Sequence, residues 1–187
     1  MSSPLFFIIN TLLTLCIYAF ILRAWMQYTQ VNFYNPFTQF IIKCTQPIVG
    51  PLRKVLPPIG SIDTATFLIL YIIALLKFIF LIYSATTYPL FSGIYLLCAL
   101  LTIVYSIGNL IFWMLIVRAI LSWISRSYSP LEEVLSQLTE PLISPIRRIV
   151  PPIGSIDISF MIFVFVLMIL NMVAMHIFGQ WWFIVSL

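Results

Sequence analysis

The sequence predicts an all-α membrane protein, with four transmembrane helices in two tandem repeats that run the same way. Three observations carry that expectation. Of 187 residues, 63% are hydrophobic and 7% charged, whereas a soluble domain carries about 25% charged residues. So few charges cannot furnish a water-facing surface. Next, the heptapeptide Pro57-Pro58-Ile59-Gly60-Ser61-Ile62-Asp63 returns unchanged as Pro151-Pro152-Ile153-Gly154-Ser155-Ile156-Asp157, 94 positions further on. Finally, Pro36, Thr45, Pro47, Pro51 and Arg53 match Pro130, Thr139, Pro141, Pro145 and Arg147 at the same offset. Arg23-Ala24 matches Arg118-Ala119 once one residue is dropped. Such self-similarity marks a repeated unit. The units are 1–93 and 94–187. Each is expected to hold two spans, a cytoplasmic interfacial amphipathic helix and the Pro-Pro-Ile-Gly-Ser-Ile-Asp turn.

The first span is expected over 4–22. It is free of charge up to Arg23 and reaches the roughly 20 apolar residues that a bilayer requires. It lacks the basic start and the small-residue cleavage site of a signal peptide. Trp25, Tyr28, Phe33 and Tyr34 follow among polar residues and read as an interfacial aromatic belt. Asn35 before Pro36 is an N-cap followed by Pro at the first helical position. Phe37, Phe40, Ile41 and Cys44 then fall at helical spacing, with Thr38, Gln39, Lys43 and Gln46 between them. That helix is too polar to span and suits the interface. Phe37, Phe40 and Ile41 should bury against lipid or spans, and Gln39 and Lys43 should face water. Pro47, Gly50 and Pro51 are expected to break it. Pro57-Pro58-Ile59-Gly60 reads as a rigid turn. Ser61 or Asp63 can cap the span expected over 62–83, where a carboxylate gains from the helix dipole.

A short uncharged loop leads to a third span, expected over 94–117 and ending before Arg118. Trp123 and Tyr128 repeat the belt. Ser129-Pro130-Leu131-Glu132 reads as a capping box. Leu131, Val134, Leu135, Leu138 and Leu142 form the apolar stripe of the second amphipathic helix. Glu132, Glu133, Gln137 and Glu140 are expected to face water. The turn recurs, the fourth span is expected over 156–178, and Trp181 and Trp182 should anchor its far end at an interface.

Charge sets the topology. Arg23, Lys43, Arg53 and Lys54 lie in one long loop, Arg118, Arg126, Arg147 and Arg148 in the other, and none lies between the second and third spans. The positive-inside rule places both long loops in the cytoplasm and both termini outside. The two repeats are then related by a pseudo-two-fold axis along the membrane normal. The net charge of +4 flanks apolar spans and forms no basic run, which argues against direct nucleic-acid binding. Cys16, Cys44 and Cys98 have neither metal-ligand nor disulfide spacing.

Arg53 with Asp63, and Arg147 with Asp157, are expected to pair and hold each amphipathic helix against the span that follows, helped by Arg23 or Arg118. The rival reading is an ion or headgroup site. Lys77 lies about 15 residues into its span, roughly 22 Å along it at about 1.5 Å per residue. Charges at such depth are functional candidates, but a lysine can also snorkel to the nearer interface, and snorkelling is the preferred reading. Asn171 is its counterpart, so a polar pair across the pseudo-axis is a second arrangement to look for. His176 reads as interfacial. No nucleophile motif, phosphate loop or metal cluster is present, and the lone histidine lies opposite the acids. The residues thus predict no enzyme activity and no cofactor.

The pattern Pro-x(10)-Pro-x(3)-Pro-x-Arg, then Pro-Pro-x-Gly-x-x-Asp and an apolar span, resembles the YGGT family. Two such repeats in a chain of this length are similar to the Gram-negative bacterial type. The resemblance implies a multi-pass protein of the bacterial inner membrane. Gram-positive relatives sit with cell-division genes. Plastid relatives are linked to nucleoid distribution and to haem attachment in a cytochrome complex. Bacterial relatives are connected with osmotic stress and potassium uptake. Two functions are therefore carried forward. The first is a non-enzymatic scaffold or assembly factor that meets the lipid bilayer, another copy of itself or a membrane-protein partner. The alternative is a small transport or osmoregulatory component built as an oligomeric pore, for which Asn10, Thr11, Thr14, Lys77, Thr102, Ser106, Asn109 and Asn171 are the polar residues on offer.

Overall fold

The computed structural model describes residues 4–60, 63–85, 93–124, 129–150 and 158–187. Seven helices account for most of them: α1 (Pro4–Tyr28), α2 (Pro36–Arg53), α3 (Thr64–Ala85), α4 (Ile94–Ile124), α5 (Pro130–Ile149), α6 (Ile158–Phe178) and α7 (Gln180–Val185). Helices α1, α3, α4 and α6 are long and apolar enough to cross a membrane. In hydrocarbon every backbone N–H and C=O must be satisfied internally, and a helix does this within one segment.

Phe6 stacks on Phe80, and Phe78 meets Tyr95. The start of α1 therefore lies beside the end of α3, which lies beside the start of α4. Successive spans alternate in direction, and the two repeats run the same way. Helices α1, α3 and α4 pack on one another, while α6 lies against α4 and touches α5 and α7. Half of the α3 span is buried within the chain and none of the α6 span is, so the repeats are equivalent in order but not in enclosure. Between spans, association rests on close packing and polar contacts, because lipid tails are as apolar as leucine. Ile17, Phe20, Ala74, Ala99, Leu115 and Leu138 illustrate the closely filled interior.

Two spans outrun their expected ends. Helix α1 continues past Arg23 to Tyr28, and α4 passes Arg118 to reach Ile124. A charge ends a span only where it must reach water. Both arginines instead turn to partners on α2 and α5. At about 1.5 Å per residue α4 is roughly 46 Å long, more than an untilted crossing of a core of about 30 Å requires.

The prolines of the amphipathic helices do not break them. Helix α2 runs through Pro47 and Pro51, and α5 runs through Pro141 and Pro145. Each pair is spaced by four residues, so both rings share one face of the helix. All four residues are exposed, and the carbonyls they strand lie on the open side, where bending is tolerated. Asn35 caps α2 with Pro36 next, its Oδ1 accepting from the Phe37 N–H at 3.0 Å. Ser129 is the N-cap of α5 but makes no side-chain capping bond. Asn35 instead ties down that end, donating from Nδ2 to the Pro130 carbonyl at 2.8 Å and to Glu133 at 3.2 Å.

On α2, Ile41 is buried, Phe37 half-buried and Phe40 exposed, with Gln39 and Lys43 outward. Thr38 and Thr45 are buried with Ile41 and Val49, so the inward stripe is more polar than the apolar spacing suggested. On α5, Val134, Leu135 and Leu138 are buried with Thr139 and Ile143, and Leu131 is half-buried.

The expectation for Trp181 and Trp182 needs correction. Gly179 adopts φ 53°, a backbone region favourable to glycine, and turns the chain back as α7. Trp182 is buried with Val185 against Phe78, Ile82, Tyr95 and Cys98, and Trp181 packs on Phe78. These rings close the end of the bundle opposite α2 and α5.

Candidate functional site

Ionic side chains gather in two clusters at the α2/α5 end, one per repeat. In the first, Asp63 caps α3, with Oδ1 accepting from the Thr66 N–H at 3.4 Å and Oδ2 from the Thr66 hydroxyl at 2.6 Å. Arg53, at the end of α2, donates to Oδ2 from Nη2 at 2.5 Å and from Nε at 3.1 Å. Arg23 of α1 brings its Nε to 3.9 Å of the same oxygen. Both guanidiniums also have further acceptors. Arg53 donates to Gln27 at 3.0 Å. Arg23 donates to Thr45 at 2.7 Å and Gln46 at 2.8 Å. Asp63 and Arg23 are both buried, Arg53 is partly exposed, and the cluster locks α1, α2 and α3 together. Burial pushes the Asp63 carboxyl up, but hydrogen bonds from Arg53 and Thr66 outweigh it and hold the group below the ordinary aspartate value.

In the second cluster Arg118 donates to Thr139 at 2.6 Å, as Arg23 does to Thr45. Here a carboxylate of α5 itself takes part. Glu140 stands where the first repeat has Gln46, and it accepts from Arg118 at 3.1 Å and from Arg147 at 2.5 Å. Glu140 therefore does not simply face water as expected, but joins α4 to the end of α5. It escaped the sequence reading because its register on the helix looked polar. The signal available was the exchange of Gln46 for Glu140 between otherwise matched repeats.

The structure thus joins Arg53 to Asp63. Pro57, Pro58 and Gly60 lie exposed between them, with Gly60 at φ 62°. The expected partner of Arg147, Asp157, lies outside the described residues with Pro151, Pro152 and Gly154, as does Ser61.

Lys77 does not snorkel. It is 3% exposed, on the α3 face that also carries Leu70, Ala74 and Leu81, enclosed by α1 and α4. It has no hydrogen-bond or ion-pair partner among the described residues. The described acids Asp63, Glu132, Glu133 and Glu140 lie in or next to the α2 and α5 segments, so none of these four faces it. Asn171 is not its partner: it is exposed on α6 and accepts from Trp182 Nε1 at 2.8 Å. His176 is exposed on α6 as well. Among the described residues no three histidine, cysteine or acidic side chains gather at metal-ligating range.

These observations define the class: a four-span, all-helical membrane-type protein built as a tandem repeat. The family model CCB3/YggT matches residues 2–84 and again 97–178, and the chain belongs to that family. It is 47% identical over 178 residues to a protein of Vibrio alginolyticus named for the 3′ region of proC, covering 95% of this chain and 96% of the relative. It is also 47% identical over 170 residues to YggT of Escherichia coli K12, covering 91% and 88%. A relative in Haemophilus influenzae is 39% identical over 176 residues, covering 94% of each. The names of these relatives assign no activity. No solved structure matches the chain.

Proposed function

We propose that the protein is a non-enzymatic scaffold or assembly factor of the bacterial inner membrane. Both termini lie outside, and α2 and α5 form one platform at the cytoplasmic interface. The observation that supports this most is the joining of α2 to α5. Asn35 reaches Pro130 and Glu133, and the Asn32 N–H reaches Gln137 at 3.4 Å. Two helices from different repeats thus make a single surface, each fastened by its arginine cluster to the spans. Its outward side offers Gln39, Phe40, Lys43 and Ile48 to a membrane-protein partner or a second copy.

Several polar residues of the spans add support, because they are used within the chain. Thr11, Thr14 and Thr102 bond carbonyls one turn back. Asn109 donates to the Tyr18 hydroxyl at 2.9 Å, and Asn171 holds Trp182. A photo-crosslinking residue at Gln39 or Lys43 should capture a discrete protein in intact cells, and one at Phe165 on α6 should not. Equal capture at both places would remove the platform as the working surface.

The transport reading is favoured by one feature, the enclosed Lys77, which has no partner among the described residues. Proteoliposomes should show no potassium or proton flux above protein-free vesicles. Flux that disappears in Lys77→Met would establish transport instead.

A further inference from the structure

Helices α2 and α5 align without a gap at an offset of 94 residues, yet one flank of the unit is buried in only one of them. On α5 that flank carries Val134, Leu138 and Leu142. Val134 and Leu138 are both 0% exposed, in the same core as Met26 of α1 and Val31 just beyond it, and Leu142 packs against that core. The matching residues on α2 are Phe40, Cys44 and Ile48. Phe40 is 60% exposed and Ile48 53% exposed, and Cys44 is exposed between them. Their spacing of four residues sets the three side chains in one row along the helix. The stripe that α2 turns inward is a different one, through Thr38, Ile41, Thr45 and Val49.

We propose that this row is the contact between two copies of the chain, with α2 packed on α2 of a second copy about a two-fold axis along the membrane normal. In the second repeat the same flank is covered by protein, so the unit is built to meet a protein neighbour there. A neighbour in the membrane plane must present exposed apolar surface at the depth of α2. Among the described residues α5 offers only Ile149 as an exposed large apolar side chain, whereas α2 offers Phe40 and Ile48. The row is also self-complementary. Two copies inserted the same way are related by an axis along the normal, and that axis makes two helices lying in the membrane plane antiparallel. With the axis at Cys44, Phe40 of each copy meets Ile48 of the other, and the small side chain at the midpoint lets the backbones approach. The row carries no charge, so no like charges face each other across the axis. Gln39 and Lys43 lie off it and stay exposed. The inference deepens the platform reading and rests on its placement of α2 at the membrane interface.

Cys44 reports this contact without a substitution. Membranes holding the full chain are treated with copper phenanthroline, and dimers are read on a non-reducing gel. The wild-type chain and Cys16→Ser should both give a dimer, and Cys44→Ser should give none. In a background with Cys16, Cys44 and Cys98 replaced by serine, Phe40→Cys in one copy and Ile48→Cys in another should crosslink when the two are made together. Phe40→Cys alone should not. The two Phe40 Cα atoms stand about 12 Å apart along the helices, twice four residues at about 1.5 Å each, and a disulfide spans at most about 7 Å. A wild-type chain that forms no Cys44 dimer overturns the proposal without any variant needing to fold. Equal crosslinking by Phe40→Cys alone overturns it too, because chance collisions then account for the dimer. Photo-crosslinking at Gln39 or Lys43 is read separately. Capture of another protein there, with no Cys44 dimer, removes the second copy and leaves the platform standing.

Discussion

Asp63 concentrates the consequences of the fold in one side chain. It is 2% exposed and is met by Arg53, Thr66 and, at longer range, Arg23. Removing one partner of a buried ion pair costs about 3–5 kcal/mol. Arg53 is 34% exposed, so solvent screens part of its share and the lower end applies. Asp63→Asn and Arg53→Gln should each lower thermal stability in detergent, and the double variant should lose less than the sum. Because the folded pKa of Asp63 lies below its unfolded value, the stabilisation is fully present above the unfolded pKa. It disappears as pH falls through the folded pKa. Melting temperature should therefore hold from neutral pH to the ordinary aspartate range and drop only below it, and Asp63→Asn should flatten that acid limb. Glu140 has a side chain that is 40% accessible, and its partners Arg118 and Arg147 are only partly buried, so Glu140→Gln should cost about 0–1 kcal/mol, clearly less than Asp63→Asn. The sequence displayed the Arg53–Asp63 partnership because both residues recur at fixed offset. It hid Glu140 because repetition is blind to what only one copy contains.

Helix ends follow a similar logic one level up. The α1 terminus is a Schellman arrangement: the Val31 N–H returns to the Met26 carbonyl at 3.1 Å and the Gln30 N–H to Gln27 at 3.4 Å. Gln30 occupies the left-handed position at φ 51°, where glycine is the favoured residue. Gln30→Gly should therefore stabilise the protein by about 0.5–1 kcal/mol, a rise of a few degrees in melting temperature for a chain of this size. No glycine signals this stop, so the sequence reading ended the span at Arg23. The opposite error arose in α2, where prolines promised a break and the helix continued, as α5 does through its own prolines. Local breaker chemistry competes there with an anchored helix whose prolines all lie on the open side, and the anchoring prevails. The cap at Asn35 was legible because its chemistry is local. Its second bond, across to α5, was not, because nothing in either segment announces the other.

At the scale of the whole molecule, composition and the repeat were enough to anticipate an all-helical chain with four membrane-capable helices. They could not anticipate that α3 is enclosed while α6 is peripheral, nor that α7 folds Trp182 into the bundle. Both depend on tertiary contacts that two nearly matched repeats do not share. The enclosure of α3 is also why Lys77 lies inside rather than along the lipid face.

The central claim is that α2 and α5 form one platform on one side of the membrane, with the opposite loop on the other. Site-directed cysteine labelling tests it most directly. In a background with Cys16, Cys44 and Cys98 replaced, Lys43→Cys, Glu132→Cys and Thr87→Cys are each exposed to a membrane-impermeant maleimide in intact spheroplasts. The account predicts that Thr87→Cys reacts at once, while Lys43→Cys and Glu132→Cys react only after permeabilisation. Reaction of Lys43→Cys and Glu132→Cys from opposite sides would contradict it.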